Sequence, residues 1–354
     1  MIYSSLFTRI IVALRGLKNF NTFIYKFTRY EFWPWYLIFL PLLPIYVYGV
    51  IRTRKLLYFT AANPSIDMGG FFGERKDEIL ALIPNEYKAS SINVTNGLTL
   101  DLAKKVLAEN NLQLPLILKP NVGERGNGVR LIHTLEDMVS YAANESEFLI
   151  QEYIDYPLEL GILYSRMPSE QMGIVSSMAE KEFLRVKGDG VSTVGELLQS
   201  TPRNNIYYPL VASDYTERLA IVPALEEDFI VHRIGNHIKG TRFIDANKHI
   251  TKELNQVFTT LSNELTGVFY GRYDLKVPSY KDLQAGKNIK IFELNGVSSE
   301  PGHIYDQNTV FTAYYDLAEH WLRLIAISHQ NIKKGVKTTP LSKFLLQVKN
   351  HFFG

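Results

Sequence analysis

The chain contains no cysteine among its 354 residues. That absence excludes thiol catalysis, disulfide bonds and cysteine-ligated metals, and it is consistent with a cytosolic catalytic domain. The eight histidines form no metal-ligand spacing, and the sequence has no internal repeat or low-complexity tract. A net charge of +2 without aromatic-interleaved basic patches gives no case for a nucleic-acid partner. The length is ample for two or three subdomains with their own cores.

Acidic residues are also absent before Glu31, although five Arg or Lys residues occur there. Leu6, Ile10 and Leu14 recur at helical spacing, which predicts a basic amphipathic helix. The uncharged stretch 32–51 that follows is long enough to span a bilayer, but its three prolines argue against one straight helix. We expect a membrane-associated extension on the cytoplasmic face, as an interfacial or re-entrant anchor. The alternative is a cytoplasmic protein that buries 32–51 in its core or in a homodimer.

Two segments near the C-terminal end carry the strongest chemical signal. Gly271-Arg-Tyr-Asp-Leu-Lys-Val277 and Ile291-Phe-Glu-Leu-Asn295 have the character of short strands, and the turn-rich residues between them predict a hairpin. Side chains two apart on a strand share a face, so Glu293 and Asn295 point the same way. With Asp274 they provide hard oxygen ligands that suit Mg²⁺, with Mn²⁺ as an alternative. An ordinary polar strand face is the other interpretation of this pattern.

A glycine-rich loop lies about 150 residues upstream of this segment. The expected strand Leu116–Lys119 is followed by Asn121-Val-Gly-Glu-Arg-Gly-Asn-Gly128, whose glycines allow backbone N–H groups to fold over phosphates. The loop lacks the spacing of a Walker motif. A third element, the β run 148–154, reads Phe-Leu-Ile-Gln-Glu-Tyr-Ile and ends in polar residues.

In this order, the lysine–glycine loop, the Q-E-Y-I hinge, the G-R-x-D strand and the E-x-N strand resemble the ATP-grasp superfamily. D-alanine–D-alanine ligases and the ATP-grasp part of cyanophycin synthetases are the nearest families by these motifs, from about Leu114 to about Leu324. The resemblance implies an α+β ATP-grasp fold, in which two α+β subdomains grip ATP. The residues that it assigns to ATP are Lys119, Gly123, Arg125, Gly126, Gly128, Gln151, Glu152, Tyr153, Ile154 and Glu159.

The resemblance also implies roles in the reaction. Asp274, Glu293 and Asn295 correspond to the magnesium ligands, and Arg272 corresponds to the arginine that steadies an acyl-phosphate and the tetrahedral intermediate. Lys119 offsets phosphate charge in the same step. A further phosphate-binding lysine is expected before the glycine loop, with Lys88, Lys104 and Lys105 as candidates. Lys181 shares an apparent strand face with Arg185, and a phosphate contact and a solvated strand charge both remain open for it.

The residues expected to meet the substrate lie in two segments. The polar, cationic stretch 233–242 suits an acceptor carboxylate or a transferring phosphoryl group, and the residues after Asn295 occupy the place where the family binds a substrate carboxylate. The family's loop there is shorter, which implies an altered pocket in this chain. The predicted substrate residues are Asn236, Arg242, Ser298, Ser299 and His303.

The expected domain organisation has four parts: the extension 1–55, a reduced pre-ATP-grasp region 56–112, the ATP-grasp domain 113–330, and a basic linker with an amphipathic helix, 331–354. The function implied is ATP- and Mg²⁺-dependent joining of a carboxylate to an amine through an acyl-phosphate, with an amino-acid, peptide-like or lipid-linked substrate. The alternatives are a membrane-bound ATP-binding regulator or scaffold without turnover, and an ATP-grasp phosphotransferase.

Overall fold

The computed structural model describes residues 21–123, 126–233, 235, 239–306 and 310–353. The chain divides into two compact units. The larger unit comprises Pro41–Lys181, Ile244–His303 and Tyr314–Gly354, and the smaller unit comprises Met1–Leu40, Glu182–Phe243 and Ile304–Ala313.

The first sheet of the larger unit has four antiparallel strands in the order β1-β4-β2-β3. The strands are β1 Ser91–Val94, β2 Leu116–Pro120, β3 Arg130–Ile132 and β4 Phe148–Glu152. Helices Leu100–Glu109 and Leu135–Ala142 share a core with it, and each begins at a threonine whose side chain accepts a backbone N–H of the first turn. Because β1 and helix Leu100–Glu109 belong to this layer, the expected boundary at 112/113 does not separate two structural regions.

The second sheet has the strand order β11-β10-β5-β6-β9. Its strands are β5 Leu158–Arg166, β6 Gly173–Glu182, β9 Arg242–Asp245, β10 Tyr270–Val277 and β11 Lys290–Asn295. Alternation along β5 and β10 sends Leu160, Ile162 and Leu275 to one face, where they pack with Phe258 of helix Lys252–Glu264. The opposite face of the same strands is therefore available for polar side chains.

The predicted hairpin of β10 and β11 is present, and a short helix, Tyr280–Gln284, lies between the two strands. The ladder contains a β-bulge: Asp274 pairs with Glu293 whereas Leu275 pairs with Ile291. Phe292 is thus the extra residue, and its carbonyl is left outside the regular ladder.

The smaller unit contains a two-stranded sheet of β7 Arg185–Lys187 and β8 Asp228–Ile230. Three helices accompany it: Val194–Ser200, Pro202–Asp214 and Thr216–Leu219. The stretch 204–210 lies inside the second of these helices. Thr201 caps that helix and Pro202 occupies its first turn, where a missing N–H costs nothing.

The remaining helices are Trp35–Phe39, Leu43–Thr53, Lys76–Leu82, Val310–Lys333 and Leu341–Phe353. Residues Tyr58–Ala61 form a 3-10 helix, in which the Thr60 hydroxyl donates to the Leu57 carbonyl. Lys181 and Arg185 do not share the strand expected from the sequence, because β6 ends at Glu182 and β7 begins at Arg185.

Candidate ATP and magnesium site

The polar face of the second sheet collects the predicted metal ligands. In the β10–β11 ladder Asp274 lies opposite Glu293, and Arg272 lies opposite Asn295. Directly opposed residues of an antiparallel pair have Cβ atoms about 5 Å apart, and two like charges so placed are destabilising. A cation between the two carboxylates would remove that repulsion.

Asp274 is the centre of the charge network on this face. It is buried, and its carboxylate accepts from Arg272 Nε at 3.1 Å and from Asn295 Nδ2 at 3.3 Å. Lys181 Nζ lies 3.3 Å from the same carboxylate. Burial by itself would raise the pKa of Asp274, but Arg272 and Lys181 hold it below its ordinary value. The aspartate is therefore kept ionised, as a metal ligand must be.

Glu159 is also buried on this face, 3.5 Å from Lys181 Nζ and 3.8 Å from Lys276 Nζ. Burial raises its pKa, and the two lysines oppose that shift only in part. The predicted contact of Glu159 with the ribose remains a prediction. For Lys181, which is 5% exposed at its side chain, the solvated strand charge is wrong, because the lysine bridges two buried carboxylates.

Gly161 makes room for this network. It is paired with Asp274 across β5 and β10. A Cβ atom at residue 161 would lie 3.1 Å from Asp274 Oδ1 and 3.4 Å from Arg272 Cδ. Sequence reasoning missed this residue, because a glycine in a strand becomes informative only when its cross-strand neighbour is known.

Lys119, at the end of β2, connects the first sheet to this site. Its ammonium group donates to Gln151 Oε1 and to the carbonyl of the bulged residue Phe292, both at 3.0 Å. Burial lowers the pKa of Lys119 to about 8, although Glu293 and Asp274 act in the opposite direction. The β-bulge thus exposes a carbonyl that positions the lysine near the metal-ligand strand.

The glycine loop joins β2 to β3 across the edge of the first sheet. Gly128 has a φ of +72°, and a Cβ there would meet the Pro120 ring at 2.6 Å, so the turn requires glycine. Gly123 and Gly126 flank the gap in the described residues, and the predicted phosphate contact Arg125 lies outside them.

Lys76 lies beside the glycine loop and was not among the phosphate-binding candidates chosen from the sequence. It begins helix Lys76–Leu82, its ammonium group donates to the Gly123 carbonyl, and its charge contributes to the lowered pKa of Lys119. Of the candidates chosen from the sequence, Lys88 forms a bridge with Ile291 of β11. Lys104 and Lys105 are exposed on helix Leu100–Glu109. Lys76 and Gly123 are 47 positions apart in the sequence, and no sequence motif indicates that they are in contact.

The predicted adenine hinge follows β4. Gln151 is buried and binds Lys119, so its side chain supports the lysine. Glu152 accepts from the Ser90 N–H and from Lys290 Nζ, at 3.0 and 2.9 Å. The Ile154 carbonyl accepts from Lys276 Nζ at 3.0 Å, and that ammonium group lies over the Tyr153 ring. The hinge is therefore tied to β10 and β11, and its contact with adenine remains a prediction.

The loop after Asn295 packs against a second glycine loop. The N–H groups of Val297 and Ser298 donate to the carbonyls of Gly69 and Gly70, at 3.0 and 3.2 Å. Gly70 has a φ of +80°, and a Cβ there would lie 2.7 Å from Gly296 Cα. The reduced region before the first sheet thus holds the predicted acceptor loop in place.

The three predicted acceptor residues on this loop differ in accessibility. Ser298 is exposed, whereas Ser299 is buried and donates its hydroxyl to the Gly296 carbonyl. His303 is 4% exposed, with Nδ1 at 2.7 Å from Ser177 Oγ and Nε2 at 3.1 Å from Asp316 Oδ2. Because both ring nitrogens are engaged, a direct contact of His303 with substrate is not supported, and its observed role is to anchor the loop.

The other predicted substrate segment belongs to the smaller unit. Arg242 forms an ion pair with Asp306 at 3.0 Å and is half exposed, and Asn236 lies outside the described residues. In the same unit, the stretch 188–197, which reads G-D-G-x-x-T-x-x-E-L, forms a turn followed by a helix cap. Asp189 accepts the N–H groups of Val191 and Ser192, and Thr193 forms a capping box with Glu196 at the start of helix Val194–Ser200.

The model of the tubulin-tyrosine ligase family matches residues 75–161, and no curated protein sequence matches. Matching solved structures include a bifunctional glutathione synthetase from Pasteurella multocida (14% identity, TM-score 0.36), covering 73% of this chain and 38% of that one. A D-alanine–D-alanine ligase from Bacillus anthracis has 15% identity and TM-score 0.39, covering 74% and 68%. VanG D-Ala:D-Ser ligase from Enterococcus faecalis has 14% identity and TM-score 0.40, covering 71% and 61%.

The α+β architecture expected from the sequence is present in the larger unit. The two sheets of the larger unit carry the lysine–glycine loop and the metal-ligand hairpin, and the family match at 75–161 contains Lys119, the glycine loop and the hinge. That match ends before β10 and β11. The assignment of metal ligands to this hairpin therefore depends on the geometry of the hairpin alone. Two carboxylates and an amide oxygen fit Mg²⁺, which takes few protein ligands. Among the described residues no group of three or more His, Cys, Asp or Glu side chains is suited to a metal.

Proposed function

We propose that this protein is an ATP- and Mg²⁺-dependent ligase that joins a carboxylate to an amine through an acyl-phosphate. The observation that carries the proposal is the pair of the buried Asp274 and the partly buried Glu293, opposed on β10 and β11 and flanked by Arg272 and Asn295. A purely structural sheet face has little reason to place two carboxylates opposite each other at the cost of their repulsion. An amino acid or a peptide-like molecule, free or lipid-linked, is the proposed substrate class.

The proposed metal ligands are Asp274, Glu293 and Asn295. Bound Mg²⁺ would supply charge that neutralises phosphate oxygens during transfer. The protein's own contribution is to keep the metal-ligating side chains ionised and oriented. Asp274 is held ionised by Arg272 and Lys181, and Asn295 is oriented by its bond to Asp274.

Lys119 is proposed to bind the ATP phosphates. At neutral pH it carries its proton, since its pKa is about 8. Its burial makes the charge effective, because a charge in a partly dry site interacts more strongly than one in water. Gln151 and the Phe292 carbonyl fix the ammonium group between the two sheets of the larger unit.

Arg272 is proposed to stabilise the developing oxyanion when the amine attacks the acyl-phosphate. Its guanidinium group is positioned by Asp274 at 3.1 Å, and its side chain is 19% exposed. A fixed cation at the carbonyl oxygen lowers the barrier because it needs no reorganisation as charge develops.

The test is a turnover assay of the full chain with ATP, Mg²⁺ or Mn²⁺ and a panel of amino acids and peptides, measuring ADP, free phosphate and the amide product. Asp274→Asn and Glu293→Gln should lose ATP turnover by about 100-fold or more, since each removes a ligand charge at constant volume. Asp228→Asn, which changes an exposed carboxylate on β8, should retain it.

Three outcomes would contradict the proposal. Wild-type turnover in the Asp274 or Glu293 variant would remove the magnesium assignment. ADP formed with a phosphorylated acceptor and no amide would indicate a phosphotransferase. ATP binding without consumption for every substrate pair would favour a regulator or scaffold.

A further inference from the structure

Two helices of the larger unit expose apolar faces. On helix Leu43–Thr53, Leu43, Val47 and Ile51 recur every four residues and are 51%, 46% and 70% exposed. On helix Leu341–Phe353, Leu341 and Leu345 share the same spacing and are 50% and 56% exposed. Residues four apart lie on one side of a helix, so each helix has an apolar stripe directed to solvent.

The opposite sides of both helices are fixed to the same segment, residues 56–72. A Cβ at Gly49 would lie 2.5 Å from the Tyr58 ring, so the first helix touches that ring through its backbone. Tyr46 Oη donates to the Leu56 carbonyl at 2.8 Å. On the second helix, Phe344 stacks on Phe71 at 5.9 Å. The two exposed stripes therefore belong to one region of the unit, which we call the paired-helix surface.

Charge around the paired-helix surface is predominantly positive. The sequence has no Asp or Glu in residues 32–66 and none in residues 320–354. Exposed basic residues accompany both helices: Arg52, Arg54, Lys55, Lys333, Lys334, Lys337, Lys343 and Lys349. Among these, Lys343 pairs with Asp67 at 2.6 Å. Apolar stripes bordered by cations complement an anionic lipid surface, where the acyl boundary takes the apolar side chains and the headgroups take the charges.

We propose that the paired-helix surface docks the protein in the plane of an anionic bilayer, on the cytoplasmic leaflet. The stretch Tyr36–Thr53 is long and apolar enough to cross a membrane by length and composition, with a mean hydropathy of 1.5. Within this stretch, however, the helix Leu43–Thr53 cannot be surrounded by lipid on all sides, because Gly49 packs on Tyr58. Two stripes also meet the requirement that stable anchoring needs more than one membrane contact.

The first test is flotation of the full chain with vesicles of phosphatidylcholine alone or with phosphatidylserine. Binding should need phosphatidylserine and weaken as salt rises. The triple variant Arg52→Glu, Arg54→Glu and Lys55→Glu should bind at least about 100-fold more weakly, at about fivefold per basic residue lost. Val47→Asp with Ile51→Asp should abolish binding.

Matched controls come from apolar side chains outside the two helices. Val191 and Leu225 of the smaller unit are 82% and 70% exposed, and Val191→Asp with Leu225→Asp should leave vesicle binding unchanged. Circular dichroism melts of all variants distinguish lost binding from lost folding. Equal loss in the control pair, or equal binding to neutral vesicles at all salt concentrations, would overturn the proposal.

The absence of cysteine allows a second test by single-site labelling. A fluorophore at Ile51→Cys should shift to the blue on anionic vesicles and be quenched by shallow lipid probes, and one at Val191→Cys should not respond. Quenching at the bilayer midplane would show a spanning helix instead. A stable dimer in sedimentation that does not bind vesicles would assign the surface to a second copy of the chain, and either result would refute in-plane docking.

Discussion

The two sheets of the larger unit place their functional residues in different ways. The hairpin of the second sheet fixes Arg272, Asp274, Glu293 and Asn295 by strand register alone. The first sheet presents the glycine loop, whose neighbours come from distant parts of the chain, as Lys76 does. Strand register is a local rule with a period of two, so it can be deduced from sequence, whereas a loop's partners depend on how separate elements pack.

The largest effect is expected from a substitution that breaks the link between the two sheets. Lys119→Met should reduce kcat/KM for ATP by about 100- to 1,000-fold, the range for loss of one preorganised charged donor. The variant should fold, since methionine is apolar and the site is buried. Steady-state kinetics measure kcat/KM, and calorimetric titration with ATP measures the ATP affinity.

Lys187→Met is the matched control, because that lysine is 62% exposed and pairs with Glu226 in the smaller unit. It should leave both quantities unchanged. Unaltered ATP affinity in Lys119→Met would mean that the lysine only connects the sheets.

A smaller effect is expected from filling the space that Gly161 leaves opposite Asp274 in the second sheet. Gly161→Ala places a methyl group 3.1 Å from Asp274 Oδ1, so the carboxylate must shift by a few tenths of an ångström. We expect kcat to fall about tenfold, because a misplacement of about 1 Å can cost roughly 100-fold. Gly97→Ala, where nothing lies within 4 Å of the added atom, serves as the control in the same assay. Full activity in Gly161→Ala would show that the network tolerates the crowding.

The limits of sequence reasoning follow the same division between strands and loops. The hairpin of β10 and β11 and the strand that carries Lys119 could be predicted, because each rests on a short pattern. The β-bulge at Phe292, the engaged ring of His303 and the space at Gly161 could not, because each is a property of a neighbour distant in sequence.

A third prediction separates the acceptor loop from the ATP residues. Gly70→Ala adds an atom 2.7 Å from Gly296 Cα at a φ of +80°, so the loop after Asn295 must move. We expect KM for the acceptor to rise about tenfold with little change in KM for ATP, by the same cost of misplacement. Gly335→Ala is the control for backbone strain alone, since its φ is +92° and nothing lies within 4 Å. Equal changes in both KM values would indicate a general loss of stability.

The smallest expected effect concerns the proton on Lys119. Burial lowers the pKa of this lysine from its ordinary 10.5 to about 8, so at pH 8 about half of the ligand-free molecules lack the proton. Bound phosphate favours the charged form and raises the pKa again. ATP binding should therefore take up about half a proton at pH 8 and about a tenth at pH 7. Calorimetric titrations in buffers with different ionisation enthalpies measure this number directly.

Subtracting the proton uptake of Lys119→Met at each pH removes the protons that ATP itself releases or takes up and leaves the contribution of Lys119. The sign follows from the direction of the shift: a lysine whose pKa is lowered in the free protein gains a proton when an anion arrives. Proton uptake that is the same in the two proteins would place the phosphates away from Lys119. The connection between the sheets would then be structural, and the ATP phosphates would be held by the glycine loop and its neighbour Lys76.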